Sequence, residues 1–141
     1  MRTKLLTMAA VGATLAGLAF AASAGAGGGK VYAPDDCTSP KVKPDRIVLT
    51  CGDGGTYING FDWQDWGGRS SHGFGTLHAN TCKPDCASGK VKDYPVAVTL
   101  KKPKTTRCVG ASIYMYRKIE VDFIKREPPF ASSLPTKLFC S

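Results

Sequence analysis

From Ser112 to Ile124 the chain alternates. Ile113, Met115, Ile119, Val121 and Phe123 fall on one side of a period-2 pattern, interrupted only by Arg117, while Tyr114, Tyr116, Lys118, Glu120 and Asp122 take the other. Successive side chains of a strand point to opposite faces, so this pattern predicts a strand with one face buried. Val96, Val98 and Leu100 alternate with Ala97 and Thr99 and predict a second half-buried strand that stops at Lys101. The run Arg46 to Cys51 is β-branched and apolar and ends in Gly52-Asp53-Gly54-Gly55. Asp-Gly between two strand-like runs predicts a hairpin, because both central positions of a primed turn need positive φ; Thr56 to Phe61 is the returning strand. His72 to Ala79, with Gly73 and Gly75 among its alternating positions, predicts a further strand carrying bends or bulges. Past the N-terminus no window holds a helical period, and Pro128, Pro129 and Pro135 argue against a helix in the tail. The expected fold is all-β, a small antiparallel barrel or sandwich of five or six strands.

The exception to alternation is the N-terminus. Arg2 and Lys4 precede an apolar run, Leu5 to Phe20, and Ala22-Ser23-Ala24 supplies the small residues a signal peptidase reads. A cut after Ala24 is expected, with Ala24-Gly25-Ala26 as an acceptable later frame. Gly12 and Gly17 weaken the run as a retained anchor, and no basic stop-transfer cluster follows it. The chain therefore divides into a signal peptide (1–24), an extended or mobile glycine- and proline-rich lead-in (25–44), a β domain (45–126) and a C-terminal tail (127–141). The expected location is secreted, with no transmembrane anchor after cleavage.

Export changes the meaning of the cysteines. Cys37, Cys51, Cys82, Cys86, Cys108 and Cys140 make an even count in a mature chain of 117 residues, which reads as a three-bridge framework stapling a modest core. Six cysteines permit fifteen pairings; Cys108 with Cys140 is the pairing guessed, because it pins the tail against the basic segment. The competing idea is zinc held by His72, His78, Cys82 and Cys86. On one strand the two histidines share a face but stand roughly 20 Å apart, too far for one ion. No metal or cofactor is expected.

Charge is unevenly placed. Gly25 to Cys82 holds five basic and six acidic residues, whereas Lys83 to Arg126 holds eleven basic and four acidic. Lys101, Lys102, Lys104 and Arg107 cluster in what reads as one loop, joined later by Arg117, Lys118, Lys125 and Arg126. Such a patch attracts polyanions, and Tyr114 and Tyr116 add stacking if exposed on the same side. The plainer account is that these cations keep a small β protein soluble and its edge strands unpaired. Asp62-Trp63-Gln64-Asp65-Trp66 combines two carboxylates with two indoles, the groups a sugar site or glycosidase uses. The plainer account there is that Trp63 and Trp66 anchor the core while the aspartates face water. Ser70-Ser71-His72 lacks a nucleophile elbow, and no phosphate-cradling glycine loop precedes a helix.

Cys51-Gly52-Asp53-Gly54, Trp63-x-x-Trp66-Gly67, Gly73-x-Gly75, Asn80-x-Cys82-x-Pro84-x-Cys86-Ala87-x-Gly89 and Tyr94-Pro95-Val96 follow in an order and spacing that resembles a group of small secreted actinobacterial proteins without an assigned function. The similarity spans about Arg46 to Leu100 and implies an exported β domain; Cys37, Cys108 and Cys140 lie outside it. The function expected is a non-enzymatic extracellular binding domain whose basic surface meets an anionic cell-wall polymer, membrane surface or acidic protein, with no nucleic-acid specificity. A protease-inhibitor-like interaction module is the alternative, and a glycan hydrolase working through Asp62 and Asp65 a third reading.

Overall fold

The computed structural model describes residues 30–140; the signal segment lies outside them. The chain forms β1 (Ala33–Pro34), β2 (Pro40–Lys41), β3 (Arg46–Val48), β4 (Thr56–Trp63), β5 (Ser70–Asn80), β6 (Val91–Cys108), β7 (Ala111–Phe123) and a 3-10 turn (Ala131–Ser133). β3 to β7 pair in sequence order as one antiparallel sheet, and β1 pairs with β2. The all-β expectation holds. The sheet curls into a half-barrel around Ile47, Ile58, Leu77, Val96, Val98, Leu100 and Ile119, each no more than 1% exposed.

From Lys30 onward the lead-in is extended and packed rather than mobile. Val31, Ala33 and Pro34 are buried, and their segment spans the open side of the half-barrel. At one seam the Val48 amide donates to the Asp35 carbonyl (3.2 Å); at the other the Tyr32 amide donates to the Tyr114 carbonyl (2.9 Å) and the Tyr116 amide to the Tyr32 carbonyl (3.0 Å). Farther along the same edge of β7 the Ile119 amide donates to the Thr136 carbonyl and the Leu138 amide to the Arg117 carbonyl, both at 3.0 Å. Tyr32 of the lead-in and Thr136 and Leu138 of the tail thus occupy the edge of β7. Backbone pairing, rather than lysine charge, is what blunts this edge.

Three disulfides complete the frame: Cys37–Cys51, Cys82–Cys86 and Cys108–Cys140. Such bonds persist where thiols are not kept reduced. Beside the first of them, the expected Asp53-Gly54 hairpin turn is not formed. Of that pair only Gly54 has positive φ, at 63°, and the connection is a wider loop. In it the Gly54 amide donates to the Thr50 carbonyl (2.9 Å), while the Asp53 carboxylate accepts from the Gly55 amide (2.9 Å) and the Thr50 hydroxyl (3.0 Å). The two-residue primed turn lies instead at Val109-Gly110, with φ of 48° and 79°, between the paired Cys108 and Ala111.

Two further expectations are corrected. β6 does not stop at Lys101 but runs on to Cys108, paired with β7 throughout except at Lys102, so the basic segment is strand and not loop. Tyr116, expected on the polar face of β7, is fully buried beside Ile119. Register is the same on both sides of Lys102, with Lys101↔Lys118 and Pro103↔Tyr116, and Met115 is buried too, so the phase does not change; Tyr116 is buried because its hydroxyl is taken up by Ser71, Gly67 and Gly68. The β5 glycines have steric causes. A Cβ on Gly73 would sit 2.7 Å from Trp63 Cε3, and one on Gly75 would sit 2.9 Å from Ile58 Cγ2. The bulge belongs to β4, where the register slips between Asn59 and Asp62 around Gly60 at φ 64°.

Candidate functional site

Beyond Leu100, β6 and β7 form a two-stranded arm that carries most of the cations the sequence singled out. Lys102, Lys104 and Arg107 are exposed on it. Lys101 and Lys118, cross-strand partners, converge on one carboxylate, Glu120. The Lys101 ammonium foremost, then that of Lys118, holds the Glu120 carboxyl below its ordinary value. Arg117 is half-buried, and its Nη1 donates to Thr106 Oγ1 at 2.5 Å, so it braces the arm more than it faces a partner. Lys125 and Arg126 follow the end of β7. Eleven strand steps separate Ser112, the partner of Arg107, from Phe123, which puts them roughly 36 Å from Arg107 measured along the strand. The expected patch is therefore two clusters.

A cation from the first half of the chain joins the larger cluster. Ser70 pairs with Lys101, and this register places the preceding Arg69 beside the arm. Arg69, Ser70, Lys101, Lys102, Pro103 and Tyr114 line an open groove of about 510 Å³ with three cations and no carboxylate in its wall. Tyr114 is 44% exposed there, so of the two tyrosines considered for stacking only this one is available. A buried polar knot fixes the loop that carries Arg69. Tyr116 Oη lies 2.6 Å from Ser71 Oγ and donates to the Gly68 carbonyl (2.9 Å), and the Gly67 amide donates to both hydroxyls at 3.2 Å. Nothing local in the sequence marks Arg69; only the β5–β6 register brings it in.

The Asp62 to Trp66 string has internal work. Trp63 Nε1 donates to the Pro44 carbonyl (2.9 Å) and Trp66 Nε1 to the Val31 carbonyl (3.0 Å), so both indoles tie the lead-in to the barrel. Trp63 stacks on Phe61 at 4.4 Å and meets the edge of Trp66 at 4.7 Å; both indoles are half-buried against the core. Asp65 accepts from the His72 amide and faces His72 Nδ1, each at 2.7 Å, and the His72 side chain is the main reason its carboxyl sits below the ordinary range. Asp62 is exposed and makes no ion pair among the described residues. Ser71 is buried against Tyr116 while His72 turns to Asp65, so this serine and histidine form no nucleophile–base pair. His78 is engaged separately, with Nδ1 2.7 Å from Asp93 Oδ1, Nε2 2.8 Å from Asn59 Oδ1 and its ring stacked on Tyr57. The two histidines thus serve different aspartates.

These carboxylates set an acid limit. Asp36, Asp53 and Asp85 are lowered chiefly by the amides of Thr38, Gly55 and Ser88, and Asp65 and Glu120 by the side chains just named. A carboxyl whose folded value is depressed contributes stability that is present above its unfolded value and is lost as pH falls through the folded one. Thermal unfolding followed across pH should show a level midpoint near neutrality and a decline below about pH 5. The decline should be shallower in Asp65→Asn and Glu120→Gln.

No known protein family, curated protein or solved structure matches the chain.

Proposed function

We propose that this protein is a non-enzymatic, exported binding module that holds an acidic polymer of the cell-wall type along the β6–β7 arm. The observation that carries the reading is the groove beside Tyr114, whose wall holds no carboxylate and offers Arg69 and Lys102, neither in an ion pair among the described residues, beside Lys101, which is paired with Glu120. Lys104 and Arg107 extend the same charge toward the tip of the arm. A linear polyanion meets such a row by releasing its counterions, and the exposed Tyr114 ring adds apolar contact. Export is supported by the leader from Arg2 to Ala24 and by the three disulfides.

The test is retention of mature protein on immobilised poly(glycerol phosphate) as salt rises. Three phosphate contacts, at Arg69, Lys102 and Lys104, give a slope of log affinity on log salt of about −2. Arg69→Ala combined with Lys102→Ala should bring that slope below about −1 in magnitude, whereas Lys125→Ala with Arg126→Ala, at the far end of β7, should leave it unchanged. Salt-independent retention, no retention, or equal losses in the two double variants overturns the reading.

A further inference from the structure

A second concave site lies at the opposite end of β6 and takes a different class of ligand. Thr50 and Thr56 on either side of the β3–β4 turn, the end of β5, Lys83 in the loop that follows it, the start of β6 and the returning tail line a partly open cavity of about 530 Å³ at one end of the half-barrel, a size usual for small-molecule sites. Tyr94, Phe130, Leu134, Pro129, Pro135 and Ala79 supply its apolar wall. Tyr94 is held edge-on to Phe130 at 5.5 Å and to Phe123 at 5.8 Å, which makes that wall rigid.

The polar groups on the lining fall into two sets. Thr50, Asn80, Thr81 and Ser133 are occupied within the protein: Thr50 Oγ1 with Asp53 and the Thr56 amide, Asn80 with the Cys86 carbonyl and the Cys82 amide, Thr81 Oγ1 with the Lys90 amide, Ser133 Oγ with the Phe130 carbonyl. The ammonium groups of Lys83 and Lys92 and the hydroxyls of Thr56 and Tyr94 have no side-chain partner among the described residues. All four are donors, and no acidic side chain lines the cavity. Apolar walls with unpaired donors and no unpaired acceptor other than hydroxyl suit a ligand with an apolar body and one anionic end.

We propose that this cavity binds a small apolar carboxylate, its body between Tyr94, Phe130 and Leu134 and its carboxylate between Lys83 and Lys92. The site is independent of the groove on the arm: Lys92 and Lys102 are ten strand steps apart on β6, roughly 33 Å.

The experiment is titration of the mature protein with decanoate below its micelle concentration, read by calorimetry and by amide shifts in a two-dimensional NMR spectrum. Saturable binding is expected, with the largest shifts at Thr56, Ala79, Tyr94 and Leu134. Decanol and decylamine should bind at least tenfold more weakly. Lys83→Ala with Lys92→Ala, both exposed and outside the core, should weaken decanoate about tenfold while the spectrum stays folded, and Arg69→Ala with Lys102→Ala should not alter it. Ser133→Trp, which fills the cavity from its exposed side, should abolish binding. No binding by decanoate, equal binding of decanol, or shifts centred on Lys101 to Tyr114 overturns the proposal.

Discussion

Replacing Trp66 with alanine lowers the free energy of unfolding by about 3–5 kcal/mol, the range for truncating a large packed aromatic. Three losses add up at one position. The Trp66 Nε1–Val31 hydrogen bond at 3.0 Å disappears and leaves the carbonyl of a 2%-exposed residue unpaired. The edge contacts with Trp63 at 4.7 Å and Tyr116 at 5.5 Å go with it, and a void opens between the lead-in and the barrel. Domains of this size are stable by about 5–15 kcal/mol in all, so the variant stands near its limit. Urea unfolding measures the loss, and limited proteolysis locates it: new cleavage should fall in residues 30–45, the segment the indole ties down. Trp66→Phe keeps a ring and loses only the hydrogen bond, so it should cost about 1–3 kcal/mol. A Trp66→Ala loss under about 1 kcal/mol, the ordinary surface range, would show that the indole is not a structural anchor.

The indoles also show where sequence legibility ends. That Trp63 and Trp66 are structural was readable as the plainer alternative. That they hold a glycine- and proline-rich lead-in was not, because the bonds to Pro44 and Val31 cross 19 and 35 residues. Alternation serves well for strands with one buried face, as at Val96, Val98 and Leu100; Ile47 and Ile58 lie instead in runs read as strand from their β-branched composition and the turn between them. It failed where it had nothing to report. The arm from Lys101 to Cys108 pairs with β7 but packs little into the core, so its Lys, Pro and Thr residues carry no hydrophobic period. It misled at Tyr116, because the hydroxyl is buried by partners distant in sequence, Gly67, Gly68 and Ser71, and no pattern within β7 records that. Charge asymmetry pointed to the arm, but strand length divides the cations, setting Lys125 and Arg126 apart as a second cluster, and register brings Arg69 to the first. The cavity at the end of the half-barrel left no trace in the pattern, since its wall comes from five separated segments.

Removal of the Cys108–Cys140 disulfide, as Cys108→Ser with Cys140→Ser, is the second large effect. It closes the longest of the three loops, with a separation of 32 residues against 14 for Cys37–Cys51 and 4 for Cys82–Cys86. Chain-entropy arguments then rank the losses at about 4, 3 and 2 kcal/mol respectively. The folded state sharpens the difference, because this bridge fastens the tail whose residues 136–138 pair with β7 and whose Phe130, Leu134 and Pro135 wall the cavity. The serine pair should therefore lose more stability in urea than either other bridge variant. Under conditions where it remains folded it should also bind decanoate several-fold more weakly, while its retention on the polyanion should fall little, since the groove is built from β5, β6 and β7. A loss equal to that of the Cys82–Cys86 variant would mean that backbone pairing alone holds the tail. Loss of polyanion retention with decanoate binding intact would mean that the bridge serves the arm and not the cavity.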